Sequence, residues 1–144
     1  MKGSAMLRLL PAAPAEEAVR PLFLCPVSAS FPSPADDFIE TQLDLNRHLV
    51  AHPASTFFLR ASGQCMQRAG IFSGDILVVD TSLQARHNDI IIAVVDGDMT
   101  VKRMLLQGRQ VILQPENDGY PPIPIRGDTE FSVWGVVRHV IHTF

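Results

Sequence analysis

The feature that most constrains this fold is a series of short segments, rich in β-branched and aromatic residues, that follows residue 55 without long helical patterns between them. Turn signals separate these segments, and the sharpest is Asp96-Gly97, which favours a two-residue hairpin. Strands joined by short connections pair antiparallel. The pattern therefore predicts a mainly β, twisted antiparallel body. The predicted strands are Thr56–Ala61, Ile76–Val79, Ile90–Val95, Met99–Leu105, Val111–Gln114 and Phe131–Ile141.

The first 33 residues have a different character, because they hold five of the chain's 11 prolines. Proline lacks a backbone N–H and restricts the residue before it, so neither a helix nor a strand ladder can run far there. We interpret residues 1–33 as an extended N-terminal arm that packs on its own body or on a partner. Residues 34–144 then form one folded domain.

Two short helices are expected between the arm and the strands. Ser33-Pro34-Ala35-Asp36 combines a hydroxyl N-cap, a proline in the first turn and a carboxylate near the N-terminus. Phe38, Ile39 and Leu43 supply a short apolar stripe for the first helix. Asp44 is expected to cap a second short helix that runs through Ala51 and is stopped by Pro53.

Composition excludes several classes of protein. The chain has 144 residues and a net charge of −3, so it lacks the basic excess typical of direct sequence-specific DNA binding. The longest uncharged stretch, Pro21–Ala35, contains four prolines and is too short and broken to cross a membrane. Cys25 and Cys65 form no metal-binding motif, so no metal or cofactor is expected, and a reducing, cytoplasmic compartment fits.

The positions of two residues in the sequence make them candidates for a chemical role. Cys65 lies in a glycine-containing turn after a predicted strand, where nucleophiles are commonly presented. Lys102 lies on the returning strand of the predicted hairpin beside apolar neighbours, and a lysine that gives up its proton can act as a general base. The alternative is a small buried cysteine and a lysine that extends from an edge strand into solvent.

The other polar candidates favour structural roles. His48 and His52 are spaced for one helix face but lack the glutamate of a metalloprotease motif. His139 and His142 fall on opposite faces of a regular strand. The aspartates expected at turns and strand ends are Asp75, Asp80, Asp96 and Asp98.

Several motifs, in order and spacing, resemble those of the serine–lysine autopeptidases of the LexA and UmuD class, peptidase family S24, and most closely its UmuD-like members. The resemblance covers about residues 20–144, and it implies the twisted β body of that family with short helices and an extended arm. The motifs that carry it are Phe31–Phe38, Asp44-Leu45-Asn46, Ala61–Met66, Gly70–Asp80, Asp89–Ala93, Gly97–Lys102, Leu113–Asn117 and Val133–Val137.

The resemblance also implies a reaction. In this family a serine attacks one peptide bond in the chain's own arm while a neutral lysine removes the serine's proton. Lys102 matches that general base, and Cys65 occupies the position of the serine. The implied scissile bond is Ala29–Ser30, and an arm of about 30 residues at ~3.3 Å per residue can reach a site on its own body or on a dimer mate.

The family further implies partners. Its members form homodimers, a RecA–single-stranded DNA filament promotes their cleavage in the SOS response, and the shortened UmuD product joins a Y-family DNA polymerase catalytic subunit in translesion synthesis. No cofactor is implied.

Cysteine at position 65 leaves two interpretations open. A thiol is more acidic than a hydroxyl and is therefore easier for Lys102 to deprotonate, which favours a working nucleophile. Conversely, a thiolate beside an ammonium is an ion pair without a free base, and the larger sulfur loosens the attack geometry, so cleavage would be slow or absent. The competing functions are a pseudoprotease that only binds partners and a fragment of a LexA-type or phage-type repressor.

Overall fold

The computed structural model describes residues 8–11, 19–23 and 39–144. These residues fall into two compact units, one containing residues 8–11 and 52–144 and the other containing residues 19–23 and 39–51. The elements in chain order are β1 (Arg8–Pro11), β2 (Val19–Phe23), β3 (Ile39–Asp44), α1 (Leu45–Leu49), β4 (Thr56–Arg60), β5 (Ile76–Asp80), β6 (Ile90–Val95), β7 (Asp98–Gln107), β8 (Gln110–Gln114), β9 (Ile123–Pro124) and β10 (Phe131–Ile141).

The first unit is built on one sheet, whose described strands follow the order β1-β4-β5-β10-β6-β7-β8-β9. Every neighbouring pair in this order runs antiparallel. The predicted hairpin is confirmed: β6 and β7 pair from Ile90↔Arg103 to Val95↔Asp98. Asp96 and Gly97 connect them with φ of 47° and 86°, and two positive φ angles are what a type I′ turn requires. The mainly β, antiparallel fold class is confirmed.

β10 lies between β5 and β6 and joins the two halves of the sheet. Its register shifts twice, between Val133 and Gly135 against β6 and between Val137 and His139 against β5. An extra residue in one strand increases the local twist and bends the strand. These two register shifts therefore bend the sheet at defined positions, whereas the sequence predicted only a general twist.

Apolar side chains cover both faces of the central strands. On β6, Ile92 packs into one cluster while Ile91 and Ala93 pack into the other, as expected from the alternation of side chains along a strand. The first cluster contains Leu59, Ala61, Cys65, Met66, Ile71, Leu77, Val79, Ile92 and Val101. The second contains Ile91, Ala93, Met104, Leu113 and Val136. Cys65 thus belongs to the larger of the two core clusters.

The second unit contains a pair of antiparallel strands followed by a short helix. β2 and β3 pair from Val19↔Asp44 to Phe23↔Ile39. Asp44 caps α1, because its side chain accepts a hydrogen bond of 3.0 Å from the Asn46 N–H. The predicted cap is confirmed, although the helix ends at Leu49.

The expected helix with a stripe of Phe38, Ile39 and Leu43 was wrong over its described part. Residues 39–44 form β3 instead, and Ser33–Phe38 lie outside the described residues. Capping signals are local, whereas β3 satisfies its backbone groups by pairing with β2, about 20 positions earlier in the chain. A partner at that distance overrides the local preference.

Candidate functional site

Cys65 lies in the loop that follows β4, and hydrogen bonds to two other segments hold this loop in place. Ala61 donates to the Asp75 carbonyl at 2.8 Å, and Gly74 donates back to the Ala61 carbonyl at 2.7 Å. At the other end, the Glu116 N–H donates to the Cys65 carbonyl at 2.7 Å. The backbone of the candidate nucleophile is therefore tied directly to the segment that follows β8.

Neighbouring bonds reinforce that connection. The Arg68 N–H donates to the Glu116 carbonyl at 2.8 Å, and the Asn117 amide donates to the Gln64 carbonyl at 2.6 Å. Glu116 also accepts a hydrogen bond from the Arg103 guanidinium on β7. The loop, the segment after β8 and β7 thus form one connected set of contacts around the site.

Lys102 lies on β7, opposite Ile91 of β6. Its Nζ donates to Cys65 Sγ at 3.3 Å, to Thr100 Oγ1 at 2.7 Å and to the Val101 carbonyl at 3.2 Å. An ammonium has three protons to donate, so these three acceptors account for all of its hydrogen-bonding capacity. The side chain is consequently fixed with its nitrogen beside the sulfur.

Both members of this pair are largely removed from water. Cys65 and Lys102 are each 8 % exposed, and Cys65 Sγ also lies 3.9 Å from the Val101 carbonyl. No carboxylate is among the three acceptors around Nζ. The pair can exist as thiol with amine or as thiolate with ammonium, and either form places a nucleophile and a proton carrier in direct contact.

Reasoning from the sequence did not identify Thr100 as a residue of the site, although the sequence contains a signal for it. Residues two apart on a strand point to the same face, so a threonine two positions before a lysine on β7 can reach that lysine's head group. In the structure Thr100 Oγ1 makes the shortest of the three contacts to Nζ. Thr100 therefore positions the candidate base.

Sequence reasoning also missed a cluster of polar side chains around the buried Asp80 carboxylate, at the end of β5. Asp80 Oδ2 lies 2.5 Å from His52 Nδ1, while Asp80 Oδ1 accepts from the Ser55 hydroxyl at 2.9 Å and the Ser82 hydroxyl at 2.6 Å. Burial alone raises the pKa of Asp80, but the hydrogen bonds from Ser82, His52 and Ser55 outweigh it and hold the pKa well below its usual range.

His52 and His142 each contact a buried aspartate. α1 ends at Leu49, so His52 is not on a helix face with His48, and it contacts Asp80 instead. His142 follows the end of β10 and lies 2.6 Å from the buried Asp75 carboxylate. Among the residues that the structure describes, no group of three or more histidine, cysteine or acidic side chains is arranged to hold a metal. No helix in the described ranges is long and apolar enough to cross a bilayer.

The implied scissile bond cannot be placed beside the pair, since Ala29 and Ser30 lie outside the described residues. The described strands that flank this segment in the chain are β2 and β3, which pair antiparallel with each other.

A mainly β, antiparallel sheet that carries a buried cysteine–lysine contact is the arrangement that the resemblance to serine–lysine peptidases implies. Residues 21–138 match the model of the Peptidase S24-like family, and the chain belongs to that family. It is 49% identical over 124 residues to Protein ImpA of Salmonella typhimurium, covering 86% of this chain and 84% of the relative.

Two further relatives agree. The chain is 43% identical over 120 residues to Protein MucA of Escherichia coli, covering 83% of this chain and 82% of the relative. It is 44% identical over 137 residues to Protein SamA of Salmonella typhimurium, covering 93% of this chain and 95% of the relative. All three relatives are UmuD-like proteins, so the family resemblance read from the sequence is confirmed.

Proposed function

We propose that this chain is an SOS mutagenesis protein that cleaves its own N-terminal arm at Ala29–Ser30. The observation that carries the proposal is the contact of 3.3 Å between Lys102 Nζ and Cys65 Sγ, inside a chain of the Peptidase S24-like family. In this proposal residues 1–33 are the arm that is cut, and residues 34–144 are the peptidase domain.

The reaction begins with transfer of the thiol proton of Cys65 to the Lys102 amine. Sγ then attacks the carbonyl carbon of Ala29 and forms a tetrahedral intermediate, whose oxyanion accepts a hydrogen bond from the Cys65 backbone N–H. Lys102 returns the proton to the nitrogen of Ser30 as the peptide bond breaks. Water, deprotonated by Lys102, hydrolyses the remaining thioester and restores Cys65.

Cysteine in place of the family's serine makes this cleavage slow. If the proton passes to Lys102 before the arm arrives, the resting pair is a thiolate and an ammonium. That form has a nucleophile, but the attraction between the two charges lowers the reactivity of the thiolate, which must leave the ion pair to attack the carbonyl carbon. Sulfur is also larger than oxygen, so the attacking atom is displaced from the position that suits the family's serine.

The proposed partners follow from the family. A RecA–single-stranded DNA filament promotes cleavage by shifting the population of arms toward the docked form, since a permanently docked arm would cleave without a signal. The product, as a homodimer in the cytoplasm, joins a Y-family DNA polymerase catalytic subunit for translesion synthesis.

The test is the intact mass of the full-length chain before and after incubation with a RecA–single-stranded DNA filament, and separately at alkaline pH without RecA. We expect slow appearance of a fragment that begins at Ser30. Lys102→Ala should abolish it, and Cys65→Ser should accelerate it because the family's nucleophile is restored.

A second function is favoured by one observation, the replacement of the serine by Cys65. A non-catalytic module would use the same sheet to bind partners and would not cleave. Absence of the Ser30 fragment from both the parent chain and Cys65→Ser, with and without the filament, would contradict the autopeptidase and favour this binding module.

A further inference from the structure

Cys65 and Lys102 are placed for a reaction with each other as well as with a peptide. Sγ and Nζ are in direct contact at 3.3 Å, and each residue is held from outside the pair. Thr100 and the Val101 carbonyl fix the amine, while the Glu116 N–H fixes the Cys65 backbone. Two groups held in contact react with a high effective concentration.

We propose that hydroperoxides convert this pair into a covalent Sγ–Nζ sulfenamide that switches the site off and that a small dithiol reverses. In the reversal one thiol of the dithiol attacks Sγ, breaks the S–N bond and leaves a mixed disulfide with the free Lys102 amine, and the second thiol closes the dithiol's own disulfide and releases the Cys65 thiol. In the first step the thiol is oxidised and the peroxide reduced: Cys65–SH and H2O2 give Cys65–SOH and water. In the second step the Lys102 amine attacks Sγ, the hydroxyl leaves with one amine proton as water, and an S–N bond forms. The condensation of a sulfenic acid with a nearby nitrogen is established cysteine chemistry.

Burial of the site favours the sulfenamide over the other oxidation products of a cysteine. At 8 % exposure the Cys65 sulfur is more accessible to a molecule as small as hydrogen peroxide than to a bulky thiol such as glutathione. Within the described part of the chain Cys65 is the only cysteine, so no second thiol there competes with the amine for the sulfenic acid. Capture by Lys102 also protects the sulfur from irreversible oxidation to the sulfinic acid.

The consequence for self-cleavage rests on the proposed function, because one bond would remove both the nucleophile and its base. The cross-link itself does not depend on cleavage. It joins the loop after β4 to β7 and therefore adds a covalent tie between two segments that the hydrogen bonds already connect.

The experiment uses the full-length Cys25→Ser chain, which removes a Cys25–Cys65 disulfide as a source of the same mass change. After treatment with hydrogen peroxide we expect a species lighter by two hydrogen atoms. Trypsin should then release residues 61–68 joined to residues 87–103, because a modified Lys102 is not cut. Dithiothreitol should restore the original mass and the two separate peptides.

Lys102→Arg is the matched control, since it keeps a cation at this position but removes the amine. It should gain only oxygen atoms and should lose its thiol irreversibly. If Lys102→Arg also loses two hydrogens, the link is to a backbone nitrogen and the proposal is overturned. Addition of oxygen alone to the Cys25→Ser chain would overturn it as well. Because neither readout involves the Ser30 fragment, failure here is distinguishable from failure of the proposed cleavage.

Discussion

Lys102 Nζ lies 3.3 Å from Cys65 Sγ although the two residues are 37 positions apart and belong to distant parts of the sheet. Three strands, β5, β10 and β6, separate β4 from β7. The pair can meet only because the loop after β4 reaches the segment following β8, where the Glu116 N–H holds the Cys65 carbonyl. The candidate site therefore forms because the segment following β8 anchors the loop after β4 on a bent sheet.

Thr100 is expected to control the reactivity of this pair. Thr100→Val removes the closest acceptor of the lysine while keeping the side-chain volume, so the amine is less well fixed beside Cys65. In the Cys25→Ser background we expect the rate of Cys65 alkylation by iodoacetamide near neutral pH to fall about tenfold, which corresponds to the loss of roughly one hydrogen bond of 1.4 kcal/mol.

Thr100→Ser separates positioning from packing, because it keeps the hydroxyl and loses a methyl group. Its alkylation rate should match that of the parent chain. A Thr100→Val alkylation rate equal to that of the parent chain would contradict the role assigned to this hydroxyl.

Asp80 is expected to make stability depend on acid pH. Its pKa is lowered in the folded protein relative to the ordinary value of 3.8, so the carboxylate stabilises the fold above about pH 4. That contribution is lost as the pH falls below this value toward the lower folded-state pKa. Chemical denaturation of the parent chain between pH 5 and pH 2 should therefore show a steep loss in the free energy of unfolding.

Replacement of Asp80 tests the origin of that dependence. Asp80→Asn removes the charge that three side chains stabilise, and we expect a cost of about 2 kcal/mol at neutral pH and a shallower loss of stability toward acid. Asp128→Asn changes an exposed aspartate and should leave both quantities unchanged. If Asp80→Asn and the parent chain lose free energy of unfolding equally toward acid pH, the dependence comes from other groups.

Gly135 is expected to tolerate no side chain. It sits at the first register shift of β10, and a Cβ there would lie 2.6 Å from Val79 Cγ1 and 3.3 Å from the Asp80 carbonyl. Gly135→Ala should therefore lower the free energy of unfolding by about 1–3 kcal/mol through overpacking. A Cβ at Gly127 meets nothing within 4 Å, so Gly127→Ala should change stability by less than about 0.5 kcal/mol. Equal effects in thermal or urea denaturation would refute this account.

The strands could be predicted from the sequence because their determinants are local. The continuous run of apolar, mostly β-branched residues in Ile90–Val95 and the turn at Asp96-Gly97 specify one hairpin, and its register follows from the turn. The order of the strands has no such local origin. That β10 inserts between β5 and β6 is decided by core packing among distant segments, which no single stretch of sequence contains.

The contact at the centre of the candidate site joins two residues that the sequence singled out, whereas the residues around them were missed. Cys65 and Lys102 were identified by their positions in a turn and a strand and by a family motif, and strand alternation would have added Thr100. The Asp80 cluster joins His52 and Ser55, which precede β4, to the end of β5 and to Ser82 just after it, so its members carry no common pattern. The helix expected over residues 39–43 failed for a related reason, because pairing with β2 is a non-local contact.

The proposed cleavage would expose one edge of the sheet, because it would separate β1 from the rest of the chain. Arg8–Pro11 pairs with Phe57–Arg60 of β4, and cleavage at Ala29–Ser30 would leave β1 on the released fragment. Only four residue pairs hold this strand, so we expect it to dissociate at micromolar concentration. In a chain that begins at Ser30, alternate amides of β4, those facing β1, should exchange with deuterium at least tenfold faster than in the full-length chain. The intervening amides face β5 and should keep their protection, as should those of β6 and β7. Unchanged exchange throughout β4 would mean that β1 does not cover this edge in solution.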